Sequence, residues 1–366
     1  DFENEKQICT GTETDRIDCL PPELRLCTDV PADRFAEATP IDCTMPTDMA
    51  RPALVEGLRG WRELGVNPYR FGFVGGTDSH NATAGRVSED DFRGHGGRLD
   101  TTPEILLGQP ECAPGEGCTW RPNAIANGPG GITGVWAPEN TRDALFAAMK
   151  RRETYATSGP RIRVRAYASA EPFDDDVCEV LAGGDTPSGS VPMGGELPPT
   201  ATAAHYVVWA LQDTGGVAAP LERIQLIKGD LDASGDRRVE LVDIAGADDG
   251  PMPALDCSIQ TAGRPEQLCG TWADEDFDPS APSLVYARVL EQPTCRWSTH
   301  ICAQTAVDCG QLDRATGTFD PASPWAGFEG CCVISESEPG VFEGERRSEV
   351  IQERAWTSPI WFTPAE

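Results

Sequence analysis

Arg70-Phe-Gly-Phe-Val-Gly-Gly-Thr-Asp-Ser-His-Asn81 runs an apolar segment with two tight glycines straight into an aspartate and a histidine. The pattern predicts a strand over residues 70–76 that delivers ligands at its C-terminal end. Residues two apart on an extended chain point to one side, so Asp78 and His80 can face one ion while Ser79 turns away. A carboxylate beside an imidazole suits zinc, manganese or iron better than calcium or magnesium. The same short spacing also fits a polar turn, and both readings stay open on these residues alone.

Outward from this stretch, a helix is expected upstream. It opens near Thr47 or Asp48, carries Pro52 in its first turn and stops at Gly65, with Leu54, Leu58 and Trp61 recurring at helical spacing as a core stripe. Helix, strand and then ligands is the order of a parallel α/β barrel, whose sites lie at the C-terminal ends of strands. Downstream, Asn81-Ala-Thr83 matches a glycosylation sequon, but a glycan beside a buried metal would block it, so a polar turn is expected. The Gly-, Pro- and acid-rich segment 82–132 reads either as a functional lid or as a disordered insertion. Within it His95 stands between Gly94 and Gly96, where backbone can approach a ligand closely. It is one of only four histidines, which makes it a candidate for a catalytic or ligand-orienting role.

A second helix is expected after Asn140 or Thr141, either of which can cap it. Asp143 lies in its first turn, Lys150, Arg151 and Arg152 in its last, and Leu145, Ala148 and Met149 along its apolar stripe. The turn cluster Tyr155-Ala-Thr-Ser-Gly-Pro160 marks a domain boundary. Beyond it the hydrophobic period changes to two. Alternation in residues 161–167, and short apolar runs at 205–211, 222–227, 239–244, 284–290 and 355–362, predict an antiparallel β-sandwich. Arg161, Arg163 and Arg165 form the solvated face of its first strand, although three arginines in alternation could also hold a phosphate. Asp230-Leu-Asp-Ala-Ser-Gly-Asp236 looks like the start of a calcium loop, but Leu241 stands where the bidentate acid is needed, so a hairpin turn is expected.

The net charge of −29, from 30 basic and 59 acidic residues, argues against nucleic acid or an anionic membrane surface as a partner. Lysine is scarce, which fits both a protein that stays soluble in high salt and an arginine-biased genome. Fourteen cysteines lie in loop-like segments without paired Cys-x-x-Cys spacing, a pattern of disulfides formed in an oxidising compartment. Cys112 and Cys118 are the candidate local pair. Cys295, Cys302, Cys309, Cys331 and Cys332 would find partners across longer loops, in a connectivity that spacing does not settle. The segment 1–47, with four of the cysteines, reads as disulfide-tethered and irregular. No apolar run approaches the length of a membrane span and no signal peptide opens the sequence, as in a mature secreted or periplasmic protein.

The stretch ending in Thr77-Asp-Ser-His80 resembles the last metal-binding motif of the polymerase and histidinol phosphatase (PHP) superfamily. More closely, 61–80, 134–162 and 352–364 are similar to a large PHP-related family of exported bacterial proteins whose function is unassigned. The resemblance reaches from about Ala50 to the C-terminus. It implies an α/β plus all-β chain: the C-terminal part of a PHP-like distorted β/α barrel at 48–160, followed by a β-sandwich at 161–366. It also implies a metal-dependent hydrolase of the phosphoesterase class, in which metal ions generate hydroxide and hold phosphoryl oxygens. Asp78 and His80 would be ligands, while Asn81 and His95 orient substrate or a ligand. The early His-x-His of such sites is absent, so two ligands stand where a cluster needs more. A missing N-terminal segment of the same product, or a companion chain, is therefore expected to pack on residues 50–155 and bring the rest. The alternative is a non-catalytic, disulfide-stabilised structural or binding protein of the cell exterior.

Overall fold

The computed structural model describes residues 47, 49–94, 102–107, 127–215, 219–246, 250–313, 316–338 and 341–365. His95, Cys112 and Cys118, and the four cysteines of 1–47 lie outside them. Among the described residues the first elements are α1 (Ala50–Leu64), α2 (Pro103–Leu107), β1 (Ile132–Val135), α3 (Arg142–Arg151) and β2 (Thr154–Thr157). Then follow β3 (Arg163–Ser169), α4 (Val177–Ala182), β4 (Val191–Pro192), β5 (His205–Leu211), β6 (Leu221–Leu231), β7 (Arg237–Gly246), β8 (Gln267–Ala273) and β9 (Ser283–Glu291). The chain closes with β10 (Thr294–Cys295), α5 (Trp297–Gln304), β11 (Cys332–Glu338), β12 (Val341–Arg346), β13 (Val350–Ile351), β14 (Arg354–Thr357) and β15 (Ile360–Phe362).

A seven-stranded sheet runs β1-β2-β14-β9-β6-β7 with β15 also on β9, and a four-stranded sheet runs β4-β3-β5-β8. Every pairing between these strands is antiparallel. The inner faces share one core, in which Val164, Ala166, Tyr206 and Val208 of one sheet meet Ile224, Leu226, Val285, Ala287 and Phe362 of the other. That is the expected sandwich, since alternate residues of each strand turn inward. The fold is mixed, with few helices, and the described residues form no closed barrel. Pairing also crosses residue 160: Ala355, Trp356 and Thr357 pair with Thr157, Ala156 and Tyr155, so β1 and β2 extend the sandwich sheet.

Helix α1 forms as its pattern dictates, stopping at Gly65, whose φ of 74° is the left-handed turn that glycine adopts without penalty. Its buried stripe of Leu54, Val55 and Leu58 lies on the outer face of the large sheet against Ile227, Leu284, Tyr286 and Trp361. Gly229 allows this close approach, because a Cβ there would sit 2.7 Å from the Val55 side chain. Helix α3 starts at the predicted cap, with Thr141 Oγ1 accepting from Ala144 N. Its stripe differs from expectation: Ala148 is buried, but Met149 is 48% exposed.

Residues 70–76 form no ladder. The segment is extended, but hydroxyl side chains hold its backbone: Phe73 N donates to Ser358 Oγ (2.8 Å), Thr154 Oγ1 to Phe73 O (2.8 Å) and Thr133 Oγ1 to Gly75 O (2.8 Å). Phe71 and Phe73 pack onto the α1 layer. The segment therefore crosses the sheet instead of joining it, and the glycines that suggested a tight strand mark close passage. Gly131 makes the junction, its N–H donating to Gly76 O (2.9 Å) while a Cβ would lie 2.0 Å from Thr157 O. Gly131→Ala is expected to lower stability by about 1–3 kcal/mol, since backbone must move to admit the methyl. Denaturant melts that superimpose on wild type would refute the close packing.

Arg165 is a second correction. It is only 7% exposed, because α4 covers the outer face of β3. Its guanidinium lies over Trp136 and Tyr167 and donates to Leu181 O (3.1 Å) and Asp185 O (2.8 Å). The 230–236 segment is the predicted hairpin: Leu231 pairs with Arg237, and Asp232 Oδ1 accepts from Ser234 N and Asp236 N (both 2.9 Å).

Eight of the fourteen cysteines form four disulfides, Cys178–Cys269, Cys257–Cys295, Cys302–Cys331 and Cys309–Cys332. The last two build a small second core with Leu106, Leu107, Trp297, Val307 and Phe319. Such cross-links are consistent with an oxidising compartment. Among the described residues, no helix is long and apolar enough to cross a membrane.

Candidate functional site

Asp78 has a φ of 51°, so the chain turns left-handed where the expected ligand pair begins. The rule that residues two apart share a side holds for extended backbone only, and here it does not apply. Both Asp78 and His80 are exposed. Among the described residues, no three His, Cys, Asp or Glu side chains gather where a metal ion could be held. The two residues thus offer a donor pair, which does not make up a metal site by itself.

Asn81 organises the turn that follows. Its Oδ1 accepts from the hydroxyls of Ser79 and Thr83 and from Thr83 N (3.2 Å), and its Nδ2 donates to Gly94 O (2.6 Å). One asparagine therefore ties the start of the loop to the residue that precedes His95. The amide of the sequon is engaged with the loop's own backbone.

The same loop then descends into a cavity of about 270 Å3 that the sequence had not indicated. Residues 85–90 form one wall. Opposite are Gly159–Arg161, Asp213, Glu291, Thr294, His300 and Glu353, at the margin between the sandwich and the cystine-rich core. Each acid is delivered by an identifiable element. Glu291 ends β9 and Glu353 immediately precedes β14, and the two are locked side by side as Glu291 N donates to Glu353 O (2.9 Å). Asp213 follows β5 and accepts from Arg161 N and Gly215 N (both 2.8 Å). Glu89 sits on a single 3-10 turn and accepts from Trp297 N (2.5 Å), the first residue of α5. Glu353 accepts from Ser158 Oγ.

Burial dominates the electrostatics. It pushes the Glu89 carboxyl up to about 7, against the pull of the Trp297 N–H and the Arg296 charge. Burial, with Glu89 nearby, pushes Glu353 up to about 8, against the Ser158 hydrogen bond and Arg354. Glu291 is held well above the ordinary carboxyl range by burial and then by Glu353 and Asp213. Burial lowers the His300 imidazole, with Asp90 opposing. Carboxyls that share a cavity and carry protons near neutrality can give or take a proton there, which is the requirement for general acid–base work.

None of Glu89, Asp213, Glu291, His300 and Glu353 was legible as a site residue in the sequence. Glu291 left one signal, a carboxylate ending the apolar run 284–290. Glu353 lies inside the terminal stretch 352–364, and only the fold brings it to the loop that starts at Asp78.

Residues 30–317 match the family described as "Protein of unknown function (DUF3604)". No curated protein matches the chain. No solved structure matches it either.

Proposed function

We propose that this chain, which belongs to the DUF3604 family, is part of an exported hydrolase whose working surface is the 77–94 loop and the carboxyl cavity beneath it. The observation that carries this reading is convergence. The 70–76 segment is bonded to Thr133, Thr154 and Ser358, β2 pairs with β14, and Glu353 at the head of β14 meets Glu89 from the loop. Three stretches distant in sequence, two of them within the matched residues 30–317, thus form one place. In this reading Glu353 and Glu89 act as the acid–base pair, and Ser158 and Trp297 N–H orient them.

The finer proposal is a phosphoesterase of PHP type. Asp78 and His80 would be two ligands of a zinc, manganese or iron site, and the segment from α1 to β2 would be the remainder of the barrel. The further donors would come from another segment or a companion chain. Leu64, Val66, Val74, Phe146 and Met149, all exposed, support a covering of this half of the chain. When bound, the metal would supply a hydroxide nucleophile.

The test is turnover of nitrophenyl phosphomonoesters and phosphodiesters by purified protein, with zinc, manganese or iron supplied. Glu353→Gln is expected to lower kcat about 100-fold or more, as loss of a general acid–base does. Asp78→Ala and His80→Ala should lower metal content by elemental analysis. Turnover unaffected by Glu353→Gln would remove the cavity from the reaction, and metal content unchanged in a metal-containing preparation would remove the ligand pair. The structural-protein alternative takes over if no ester is turned over.

A further inference from the structure

A second cavity, of about 320 Å3, opens where β1 and β2 face the start of β3 and the turn after β5. Tyr155, Arg161 and Arg163 line it, with Gly134 and Asp213. Tyr155 stands opposite Gly134 in the β1–β2 ladder, and a Cβ on Gly134 would lie 2.0 Å from Tyr155 Cζ. The ring therefore lies across the backbone of its neighbour, an approach that glycine permits. The carbon that carries the hydroxyl is thereby held at the cavity wall. Tyr155 is 8% exposed, yet its hydroxyl makes no hydrogen bond and its oxygen is not sealed from solvent. A buried tyrosine hydroxyl ordinarily has a partner; one that opens into a cavity without one is a donor available to a ligand.

The charges beside it favour an anion. The chain has 59 acidic residues to 30 basic ones, so carboxylates are plentiful, yet among the described residues none pairs with the side chain of Arg161 or Arg163. Arg161 Nη2 donates to Gly85 O (3.2 Å), which leaves other N–H groups on the same guanidinium. Arg163 is exposed at the first residue of β3. Burial holds the Tyr155 hydroxyl above its ordinary range and the Arg163 charge opposes, so that guanidinium acts on the hydroxyl, which keeps its proton at neutral pH. Asp213 is the carboxylate of the lining, and both its oxygens are engaged, Oδ2 by Arg161 N and Oδ1 by Gly215 N (both 2.8 Å). It has little left for a cation, which the two arginines repel. Of the three alternating arginines, Arg165 is held under α4 and the other two stand at this cavity.

We propose that this cavity binds the oxyanion of a small ligand, a phosphate or a carboxylate, with Tyr155 Oη and the Arg163 guanidinium donating to its oxygens and Arg161 adding charge. A guanidinium presents paired donors that match either group, and a neutral hydroxyl beside it supplies a further one. The volume of about 320 Å3 is at the small end for ligand sites and suits a compact molecule. This cavity shares Arg161 and Asp213 with the carboxyl cavity as a common wall, but its donors are its own. The inference therefore stands without the hydrolase reading.

The experiment is calorimetric titration of the whole protein at neutral pH with inorganic phosphate and, separately, with succinate, glycerol being the uncharged control. The expected result is saturable binding of at least one anion, weakened about tenfold or more by Arg163→Gln and by Tyr155→Phe. Whichever anion binds more tightly names the source of the oxyanion. Arg163→Glu, at an exposed position, should abolish binding, and it decides the matter if Tyr155→Phe does not fold. No saturable heat with either anion, equal affinity for glycerol, or binding that Arg163→Gln leaves unchanged overturns the proposal. So does binding that Arg163→Gln weakens and a folded Tyr155→Phe does not, which would be attraction to a surface charge alone. Ester turnover and its Glu353→Gln variant report on the other cavity, so either reading can fail while the other stands.

Discussion

Replacing Lys228 by methionine is expected to destabilise the protein by about 3–5 kcal/mol, the cost of breaking a buried ion pair from one side. Lys228 Nζ lies 2.6 Å from Asp274 Oδ1, and the two side chains are 3% and 1% exposed. Oδ2 of Asp274 already has no hydrogen-bond partner, so loss of the ammonium leaves the carboxylate with still less to solvate it. The ammonium also lies 5.9 Å from the centre of the Trp272 ring and 3.9 Å from Asp230, which keeps Arg238 as a second partner at 2.6 Å. Asp230 should therefore be little affected, and Asp274 carries the penalty. Adding Asp274→Leu to Lys228→Met should restore most of the loss, because an apolar pair in place of a buried ion pair is close to neutral. Urea denaturation of the two single variants and the double variant forms a cycle. Independent, additive losses would show that the pair is not coupled.

The second large effect is a dependence of stability on pH. Glu353 and Glu89 have folded-state values of about 8 and about 7 against an ordinary 4.5, so the fold prefers both carboxyls protonated. The sign follows from linkage: their contribution is fully present below about 4.5 and is lost as pH rises through 7 and 8. The melting temperature should therefore fall between pH 5 and pH 9. Glu353→Gln resembles the protonated acid and should flatten this fall. At pH 9 it should be more stable than wild type by on the order of 5 kcal/mol, given about 1.4 kcal/mol per tenfold change in proton affinity between 4.5 and about 8. At pH 4.5 the two proteins should melt together. A wild-type profile that is level across this range, or a variant less stable at pH 9, would mean that the carboxyl is not buried beside Glu89. The same substitution removes the proposed acid–base group, so stability gained where turnover is lost would be the mark of a site held at a cost to the fold.

Local signals were read well where one physical rule acts alone. The αL stop at Gly65, the Thr141 cap, the 205–211 strand and the 230–236 hairpin each depend on neighbours within a few residues. The sandwich strands were legible as short apolar runs set between turn signals. Strand β2 was not, since Thr154–Thr157 is only four residues long, begins and ends on threonine and runs into a Ser-Gly-Pro turn signal. The 70–76 segment misled for a related reason. Apolar residues and glycines describe a chain passing close to a sheet as well as a strand within one, and only hydroxyls from Thr133, Thr154 and Ser358 decide between them.

The candidate site divides along the same line. Asp78, His80, Asn81 and His95 were visible because motif and spacing are local, and of these the structure describes an exposed Asp78 and His80 and an asparagine that ties its loop to Gly94. By itself the sequence determined the antiparallel strands of the sandwich and the cross-linking of the described cysteines. Tertiary structure alone decided that the large sheet runs across residue 160, which cysteines pair, and that Glu89, Asp213, Glu291 and Glu353 share one cavity. A carboxylate in a sequence of 59 acidic residues carries no mark of its surroundings. Its proton affinity is set by burial and by like charges brought from the ends of different strands, and those are properties of the packed chain.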